Sequence, residues 1–206
     1  MDPFRNPSRA DPWFERDFPR IEVDVLLITH PHFDHDGLDR VAFKTVLRAP
    51  GEFKQGDIVI RGVLDRHAGP YGQEFGQRNV IFLVETAGTQ FCHVGDNRAD
   101  LPDDVRREIG CVDFLMLPVD ASNHLLTYAE VKAMIGAVRP KVVVPTHYFM
   151  PGLTNVRSTL GGVEDWLATR QLVRRIYANQ IQVRPGGLPA SRDAPETWVF
   201  EQFATK

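Results

Sequence analysis

The chain has 206 residues, of which 43% are hydrophobic and 25% charged, and its formal net charge at pH 7 is −3. This length fits one domain with its own core, and this composition is that of a folded globular protein rather than a disordered one. The acidic balance excludes the basic surface typical of proteins that bind nucleic acid, so no nucleic-acid partner is expected.

The cysteines and the first residues indicate a reducing compartment. Cys92 and Cys111 do not form a CxxC pair, so a disulfide-stapled secreted scaffold is not expected. The first seven residues lack the apolar stretch of a signal peptide. The apolar runs also stop well short of the roughly 20 residues that a membrane helix requires. We therefore predict a cytoplasmic protein without a membrane partner.

The first half of the chain predicts strands joined by short turns. Residues 1–20 are an irregular lead-in, and the nearly all-apolar stretch 22–29 predicts a strand buried on both faces. A short helix is expected from about Gly37, and a glycine-rich loop follows at 67–76. The other predicted strands are 45–47, 58–64, 79–85 and 89–94, with a turn at 49–52 and a hairpin at Ala87 and Gly88.

The second half alternates helices and strands. Thr127 and Glu130 have the spacing of a capping box, and a helix is predicted from there to Pro140. Its apolar positions recur at helical spacing: Val131, Met134, Ile135 and Val138. The other predictions are helices at 102–109 and 163–177 and strands at 112–117, 142–144, 181–183 and 198–200. This alternation predicts an α/β or layered α+β domain.

The segment that follows the first predicted strand carries the strongest chemical signal. It reads Thr-His-Pro-His-Phe-Asp-His-Asp over residues 29–36. A loop that leaves a strand end can fold His30, His32, Asp34 and His35 toward one point. Imidazole nitrogen and carboxylate oxygen both suit zinc, and imidazole also suits iron, nickel and copper. The pattern therefore predicts a metal site rather than a solvated histidine-rich loop.

Three further donors follow other predicted strands. They are His67, Asp96 and His147, each directly after an apolar run. A strand delivers side chains to the rim of its sheet at such a position. A single histidine there is more often an ordinary rim residue. Together with the first loop, however, these residues supply enough ligands for two metal ions.

These motifs resemble those of the metallo-β-lactamase superfamily, whose signature is the HxHxDH pattern found at 30–35. The similarity covers about residues 21–150 in order. Within the superfamily the sequence is most similar to small metal-dependent hydrolases related to ascorbate-phosphate lactonase and N-acyl-phosphatidylethanolamine phospholipase D. Besides the His67 loop, the matching stretches are THPHFDH (29–35), APGEF (49–53), NVIFLVETAGTQFCHVGD (79–96), VDFLMLPV (112–119) and RPKVVVPTHY (139–148).

The resemblance implies an αββα sandwich with a dinuclear metal site. In that site His30, His32 and His67 bind the first metal, Asp34, His35 and His147 bind the second, and Asp96 bridges both. The implied cofactors are two divalent metal ions, with zinc expected and manganese or iron as alternatives. A hydroxide activated by both metals would attack the substrate, and Asp34 would orient it and move its proton.

Other residues near the implied ligands have less defined roles. We interpret His93 as a residue behind the ligands or in the core rather than a ligand. Tyr148 either lines the pocket or packs, and His124 is a loop histidine that could contact substrate. Cys92 is expected to be buried and unreactive, and Asn97 is expected to border the pocket.

The start of the chain departs from the family pattern. Relatives have a pair of strands before a segment that resembles Asp2-Pro3, and in this chain that segment stands at the beginning. We therefore expect residues 1–206 to form a single metallo-β-lactamase-like domain that is short at its N-terminus and lacks those strands. An exposed sheet edge could then favour a homo-oligomer.

The predicted function is hydrolysis of an ester, lactone or amide bond in a small molecule by a metal-dependent hydrolase. The alternatives are a phosphodiesterase of the same fold, an inactive metal-binding fragment, and a redox protein like the superfamily members that hold two irons. The redox alternative is disfavoured, because 206 residues leave no room for an electron-carrying partner domain.

Overall fold

The computed structural model describes residues 1–69, 77–120, 124–184 and 186–203. The strands are β1 (Ile21–Leu27), β2 (Val41–Leu47), β3 (Gly51–Gln55), β4 (Ile58–Arg66), β5 (Arg78–Thr86), β6 (Thr89–His93), β7 (Phe114–Pro118), β8 (Val142–Thr146), β9 (Val173–Ile176) and β10 (Glu196–Phe200). The helices are α1 (Asp103–Ile109), α2 (Tyr128–Val138) and α3 (Glu164–Leu167), and a 3₁₀ turn covers Leu38–Arg40. Within the described ranges, none of these helices has the length and apolar character needed to cross a membrane.

The strands form one large sheet and one small sheet. The large sheet has eight strands in the order β3-β4-β5-β6-β7-β8-β10-β9, and β1 pairs with β2 in the small sheet. Pairing is antiparallel from β3 to β6 and parallel from β6 to β9. Because β4 and β6 are both antiparallel to β5, β4 runs in the same direction as β6, β7 and β8. The carboxyl ends of these four strands therefore meet at one edge of the sheet.

The segment that follows β1 reaches the same edge. The amide of Val80, near the start of β5, donates to the carbonyl of Thr29 at 2.9 Å. Since β5 is antiparallel to β4 and β6, its start lies beside their ends. The loop after β1 is therefore held next to the loops that leave β4, β6 and β8.

Helix α2 begins and packs as the sequence predicts. The Thr127 hydroxyl accepts from the Glu130 amide, and the Glu130 carboxylate accepts from the Thr127 amide at 2.7 Å, which completes the capping box. All four apolar positions predicted for this helix are buried: Val131, Met134, Ile135 and Val138. They join the main core, which the helices form against residues such as Val63, Leu115 and Val143 of the large sheet.

A second, smaller core lies between the two sheets. Leu27 of β1 packs with Ile60, Val80 and Phe82 from β4 and β5. The molecule thus has helices packed against the large sheet and the small sheet packed against β4 and β5. This arrangement confirms the α/β sandwich that was predicted from the sequence.

Most predicted strands are confirmed, with ends that differ by a few residues. The first of them, β1, is not buried on both faces as expected, because only its last two residues, Leu26 and Leu27, are buried. The hairpin between β5 and β6 is also confirmed, because Ala87 and Gly88 have φ angles of 48° and 69°. Two residues in the left-handed region are the signature of a tight two-residue hairpin turn. The turn predicted at 49–52 is only partly correct, since β3 already begins at Gly51.

The predicted helix at 163–177 is wrong. Only Glu164–Leu167 is helical, and residues 173–176 form β9, which pairs in parallel with β10. The amide of Thr197 in β10 donates to the Leu172 carbonyl at 2.8 Å, which keeps this backbone extended. Pairing with a distant strand therefore overrides the helical spacing of apolar residues. The strand predicted at 181–183 is also wrong, because Ile181 and Val183 pack without joining a ladder.

Candidate metal centre

The structure brings all seven predicted ligands together at the edge where the strands end. One group consists of His30, His32, His67 and Asp96, and the other of Asp34, His35, Asp96 and His147. In each group, one donor atom from every residue lies within 4.8 Å of the others. Asp96 belongs to both groups, so a single carboxylate joins them.

The first group has the spacing of a metal cage. Nε2 of His30 lies 3.1 Å from Nδ1 of His32 and 3.7 Å from Oδ2 of Asp96. Nε2 of His67 lies 3.5 Å from the same oxygen. Neighbouring donors in a tetrahedral zinc site with bonds of 2.0–2.1 Å are about 3.3 Å apart. The spacing therefore suits a small divalent cation.

The second group has the same spacing. Nε2 of His35 lies 3.3 Å from Oδ1 of Asp96 and 3.6 Å from Oδ2 of Asp34. Nε2 of His147 lies 3.2 Å from Oδ2 of Asp34 and 3.6 Å from Oδ2 of Asp96. Oδ2 of Asp96 also lies near His30 and His67 of the first group, so this carboxylate is within reach of histidines of both groups.

Several buried polar atoms of the cluster could be satisfied by a bound cation. Nε2 of His35, Nε2 of His67 and Oδ1 of Asp96 are buried without a well-aligned hydrogen bond to any described residue. Leaving such atoms unsatisfied costs about 1–3 kcal/mol each. A metal ion between them would accept their lone pairs together. The residues present therefore fit a divalent metal.

One ring nitrogen of His67 makes a hydrogen bond within the protein, so only the other nitrogen is available to a metal. Its Nδ1 donates to the Ala68 carbonyl at 2.6 Å, which leaves Nε2 as the acceptor that faces Asp96.

His147 has a φ of 54°, in the left-handed region that a non-glycine residue rarely adopts. Such strain costs about 1–3 kcal/mol and is concentrated at functional sites.

Asp2 is the residue beside this cluster that the sequence analysis missed. Its Oδ2 accepts from Nδ1 of His35 at 2.9 Å, from Nε2 of His93 at 2.8 Å and from the Thr29 hydroxyl at 2.7 Å. That hydroxyl lies 3.0 Å from Nδ1 of His30 and can accept its proton. One carboxylate therefore orients a ligand of each group, His35 directly and His30 through Thr29.

No spacing rule could have identified Asp2. Its partners lie 27, 33 and 91 positions away along the chain. The one signal was the similarity of Asp2-Pro3 to a segment in the sequences of relatives. That similarity aligns the residue with relatives but does not indicate what it does. The side chain is only 6% exposed, and that burial is visible in the tertiary structure alone.

Charge in the cluster is balanced between buried carboxylates and imidazoles. Burial would raise the pKa of Asp96, but the neighbouring positive charges of His35 and His147 outweigh it and lower that pKa well below its usual range. Burial would likewise lower the pKa of His35 and His147, but the charge of Asp96 outweighs it and raises both. The ionised carboxylates thus require positive charge beside them, which a divalent cation would supply.

His30 is held in the form that binds metals. Burial, followed by the nearby charge of His35, lowers the pKa of His30 to about 3. Burial and His67 also lower the pKa of His32. Both imidazoles are therefore neutral near pH 7, with a lone pair available for a ligand bond.

Gly95 allows Asp96 to approach the loop after β1. Its φ is +56°, and a Cβ at this position would lie 2.5 Å from the Thr29 hydroxyl oxygen and 2.8 Å from Oδ1 of Asn79. Any side chain would therefore collide with the group that orients His30. This close contact explains the glycine in the His-Val-Gly-Asp stretch that ends with Asp96.

A buried polar network holds the turns that carry His67 and Asp96. Nδ2 of Asn97 donates to Oδ2 of Asp65 at 2.7 Å, and Arg98 donates to Oδ1 of Asp65 at 2.8 Å. Asn97 has no exposed surface, so the expectation that it borders the pocket is wrong. Its side-chain amide instead satisfies buried polar groups through hydrogen bonds, which connect β4 to the turn after β6.

We expect Asp65→Ala to lower the free energy of unfolding by roughly 2–3 kcal/mol, because Arg98 and Asn97 would lose a buried acceptor. The Asp65 side chain is only 3% exposed. Urea titration would measure this loss. Asp100→Ala is the control, since Asp100 lies 3.7 Å from Arg98 but is 82% exposed, and it should cost less than about 1 kcal/mol. Equal effects of the two substitutions would contradict the network.

The remaining predicted site residues lie outside both ligand groups. His93 bonds to Asp2 behind the cluster. The His124 ring is stacked 6.2 Å from that of His147. The Tyr148 hydroxyl donates to the Phe200 carbonyl at 3.3 Å. Most of the predicted glycine-rich loop lies outside the described residues, as do residues 121–123 next to His124.

Cys92 lies in the main core, as the sequence predicts. It has no exposed surface, and burial raises the pKa of its thiol to about 12. A thiol in this state is neither a metal ligand nor a nucleophile at neutral pH.

A family model described as a beta-lactamase superfamily domain matches residues 1–147, a range that includes all seven predicted ligands. The chain belongs to the beta-lactamase superfamily. A structure from this superfamily, described as a Zn-dependent hydrolase from Thermotoga maritima, superposes with a TM-score of 0.71 at 25% identity. The match covers 97% of this chain and 87% of that one.

Curated sequences match at similar identity over a smaller part of the chain. A UPF0173 metal-dependent hydrolase from Anaeromyxobacter dehalogenans is 24% identical over 72% of this chain, and the chain spans only 66% of the length of that relative. One from Archaeoglobus fulgidus is 26% identical over 62% of this chain and 67% of its own length. The superfamily fold also occurs in CmlA, a diiron beta-hydroxylase from Streptomyces venezuelae, with a TM-score of 0.54 at 15% identity over 72% of this chain and 40% of that one.

Proposed function

We propose that the chain is a metal-dependent hydrolase with a dinuclear site. The observation that carries this proposal is the buried Asp96 carboxylate, which two adjoining ligand groups share. Ligand groups that share a carboxylate would hold two cations close enough to act on one substrate. The superfamily relatives that are named metal-dependent hydrolases support the same activity.

Zinc is the proposed metal at both positions. The cluster offers five imidazoles and two carboxylates, a donor set that zinc binds readily and that manganese and iron also tolerate. The superfamily member from Thermotoga maritima is described as Zn-dependent, which supports zinc here. Elemental analysis after dialysis against metal-free buffer should give about two zinc ions per chain. Manganese or iron in the active protein would contradict the choice of zinc.

The side chains of the cluster would have different roles in hydrolysis. When bound, divalent cations lower the pKa of water and polarise a carbonyl or phosphoryl oxygen. Asp34 would hold the attacking water and accept its proton, because its carboxylate is 14% exposed and lines the adjoining cavity. In the structure, Nε2 of His147 lies 3.2 Å from Oδ2 of Asp34. Burial would raise the pKa of that carboxyl, but this hydrogen bond and the nearby charge of His35 together outweigh it and lower that pKa. Asp96 is more deeply buried and would serve as the bridge.

The proposed substrate is a small molecule with an ester, lactone or amide bond. A phosphodiester is the alternative, since the same cluster could act on phosphorus. p-Nitrophenyl acetate and bis(p-nitrophenyl) phosphate would distinguish the two with the metal-loaded protein. A protein that binds two metals and cleaves neither reporter would fit the inactive metal-binding alternative instead.

We expect His32→Ala to lower kcat/KM for the better reporter at least about 100-fold, because loss of a direct ligand should exceed the 10- to 100-fold effect of losing an outer partner. Metal content per chain would be measured on the same samples. Val156→Ala is the control, because this side chain is 79% exposed and lies outside the ligand groups. Full activity in the His32 variant would mean that another site hydrolyses the reporter.

A further inference from the structure

A cavity of about 480 Å³ opens directly onto the second ligand group. Asp34, His35, Asp96 and His147 all contribute to its wall. The volume lies within the range of about 300–1,000 Å³ that small-molecule sites occupy. A ligand in this cavity would therefore have one end at the cluster and the rest of its surface against the remaining wall.

Two segments that are distant in sequence contribute most of the apolar side chains of that remaining wall. Trp13 and Phe14 come from the N-terminal segment, and Met150, Leu153 and Leu160 come from the segment after β8. Backbone hydrogen bonds join the two segments, from the Glu15 amide to the Leu153 carbonyl at 2.8 Å and from the Asn155 amide to the Trp13 carbonyl at 2.8 Å. The two segments therefore adjoin, and apolar side chains of both line the same cavity.

Apart from the histidines and the α-amino group of Met1, whose pKa burial lowers, the ionisable groups that line the cavity are acidic. The described residues that line the cavity include Asp2, Asp34 and Asp96 but no lysine or arginine. The stretches 70–76 and 121–123, which follow His67 and Asp120 in the chain, contain no lysine or arginine either. Recognition of a phosphate or carboxylate group relies on such side chains. Beyond the cluster, the described part of the wall thus offers no lysine or arginine side chain to hold an anionic group.

We infer that the substrate carries an uncharged, apolar group of about four to eight carbons beside its scissile bond. This group binds between Trp13 and Phe14 on one side and Met150, Leu153 and Leu160 on the other, with the scissile bond at the cluster. The inference rests on the proposed hydrolase function and narrows it to apolar acyl substrates. Each methylene buried against the wall contributes up to about a fourfold gain in kcat/KM.

The test uses the metal-loaded protein and p-nitrophenyl esters of acetic, butyric, hexanoic and octanoic acid, with bis(p-nitrophenyl) phosphate alongside. We expect kcat/KM to rise at least about 20-fold from acetate to hexanoate, since four methylenes are added. Calorimetric titration with butanamide and octanamide measures binding without turnover. Octanamide should bind at least about tenfold more tightly, for the same reason.

A charged substitution in the wall provides the structural control. Met150→Lys places a cation among the apolar side chains and should lower the hexanoate-to-acetate ratio at least about tenfold. Val156→Lys adds the same charge on the same segment, but at a side chain that is 79% exposed. This control should leave both the ester ratio and the octanamide affinity unchanged.

The possible outcomes separate this inference from the proposed function. Ester turnover without dependence on chain length, or a preference for the phosphodiester, would overturn the inference and leave the hydrolase. Octanamide binding that Met150→Lys abolishes, without turnover of any reporter, would support the apolar site and contradict the hydrolase. Absence of both turnover and octanamide binding would overturn both.

Discussion

Asp96→Ala is expected to remove metal from both positions of the cluster, from about two ions per chain to nearly none. The reason is geometric. Oδ2 of Asp96 lies 3.5 Å from Nε2 of His67 in the first group, and Oδ1 lies 3.3 Å from Nε2 of His35 in the second. Removing the carboxylate takes one ligand from each group together with the single negative charge that they share, and most of the remaining donors are imidazoles.

Elemental analysis after dialysis would measure this loss, together with kcat/KM for the better reporter. Asp96→Asn is the companion variant, because it retains the shape of the side chain and loses its charge. If the alanine variant fails to fold, the asparagine variant still tests the bridge. Metal content that stays near two in Asp96→Asn would contradict the assignment of Asp96 as the shared ligand.

His124→Ala is the matched control for Asp96. The His124 ring is stacked on that of His147, with 6.2 Å between centroids, but it belongs to neither ligand group. Its removal should therefore leave the metal content intact. Loss of metal in this variant would mean that the seven histidines have been divided wrongly between ligands and neighbours.

Asp2→Asn is expected to weaken metal binding about 10- to 100-fold although Asp2 belongs to neither ligand group. Its carboxylate accepts from Nδ1 of His35, and through the Thr29 hydroxyl it orients His30. An asparagine amide would still accept from Thr29 but could not balance the charge of His35. Both groups should be affected, because one of these ligands belongs to each.

The measurement for Asp2→Asn is competition for metal against a chelator, with the two binding constants resolved. Asp11→Asn is the control, since Asp11 is an exposed acid of the same N-terminal segment. Unchanged constants would contradict the positioning role. Loss of thermal stability with normal metal affinity would show that Asp2 acts on the fold and not on the ligands.

Local patterns in the sequence were enough to predict most elements. The capping box at Thr127 and the apolar spacing that follows it determine α2, because both act over a few residues along the backbone. The helix predicted at 163–177 failed for the opposite reason. The backbone of β9 finds its hydrogen bonds on β10, more than 20 residues later, and no local pattern encodes that pairing.

The candidate ligands were also predictable from the sequence. Four of them lie within residues 30–35, and the other three follow apolar strands. Their positions can therefore be identified from short stretches of sequence. The division into two groups came from the resemblance to the superfamily. The structure places the same residues in the same two groups.

By itself, the sequence determined the α/β class, the strand-end donors and the superfamily, because each depends on short patterns. Only the tertiary structure decided which groups surround those donors. Asp2 meets His93 across 91 positions, Asn97 is enclosed by Asp65 from β4, and Trp13 meets the segment after β8. Contacts of this kind arise when distant segments pack to bury apolar surface and satisfy buried polar groups, so they are set by the whole fold and leave no spacing signal in the chain.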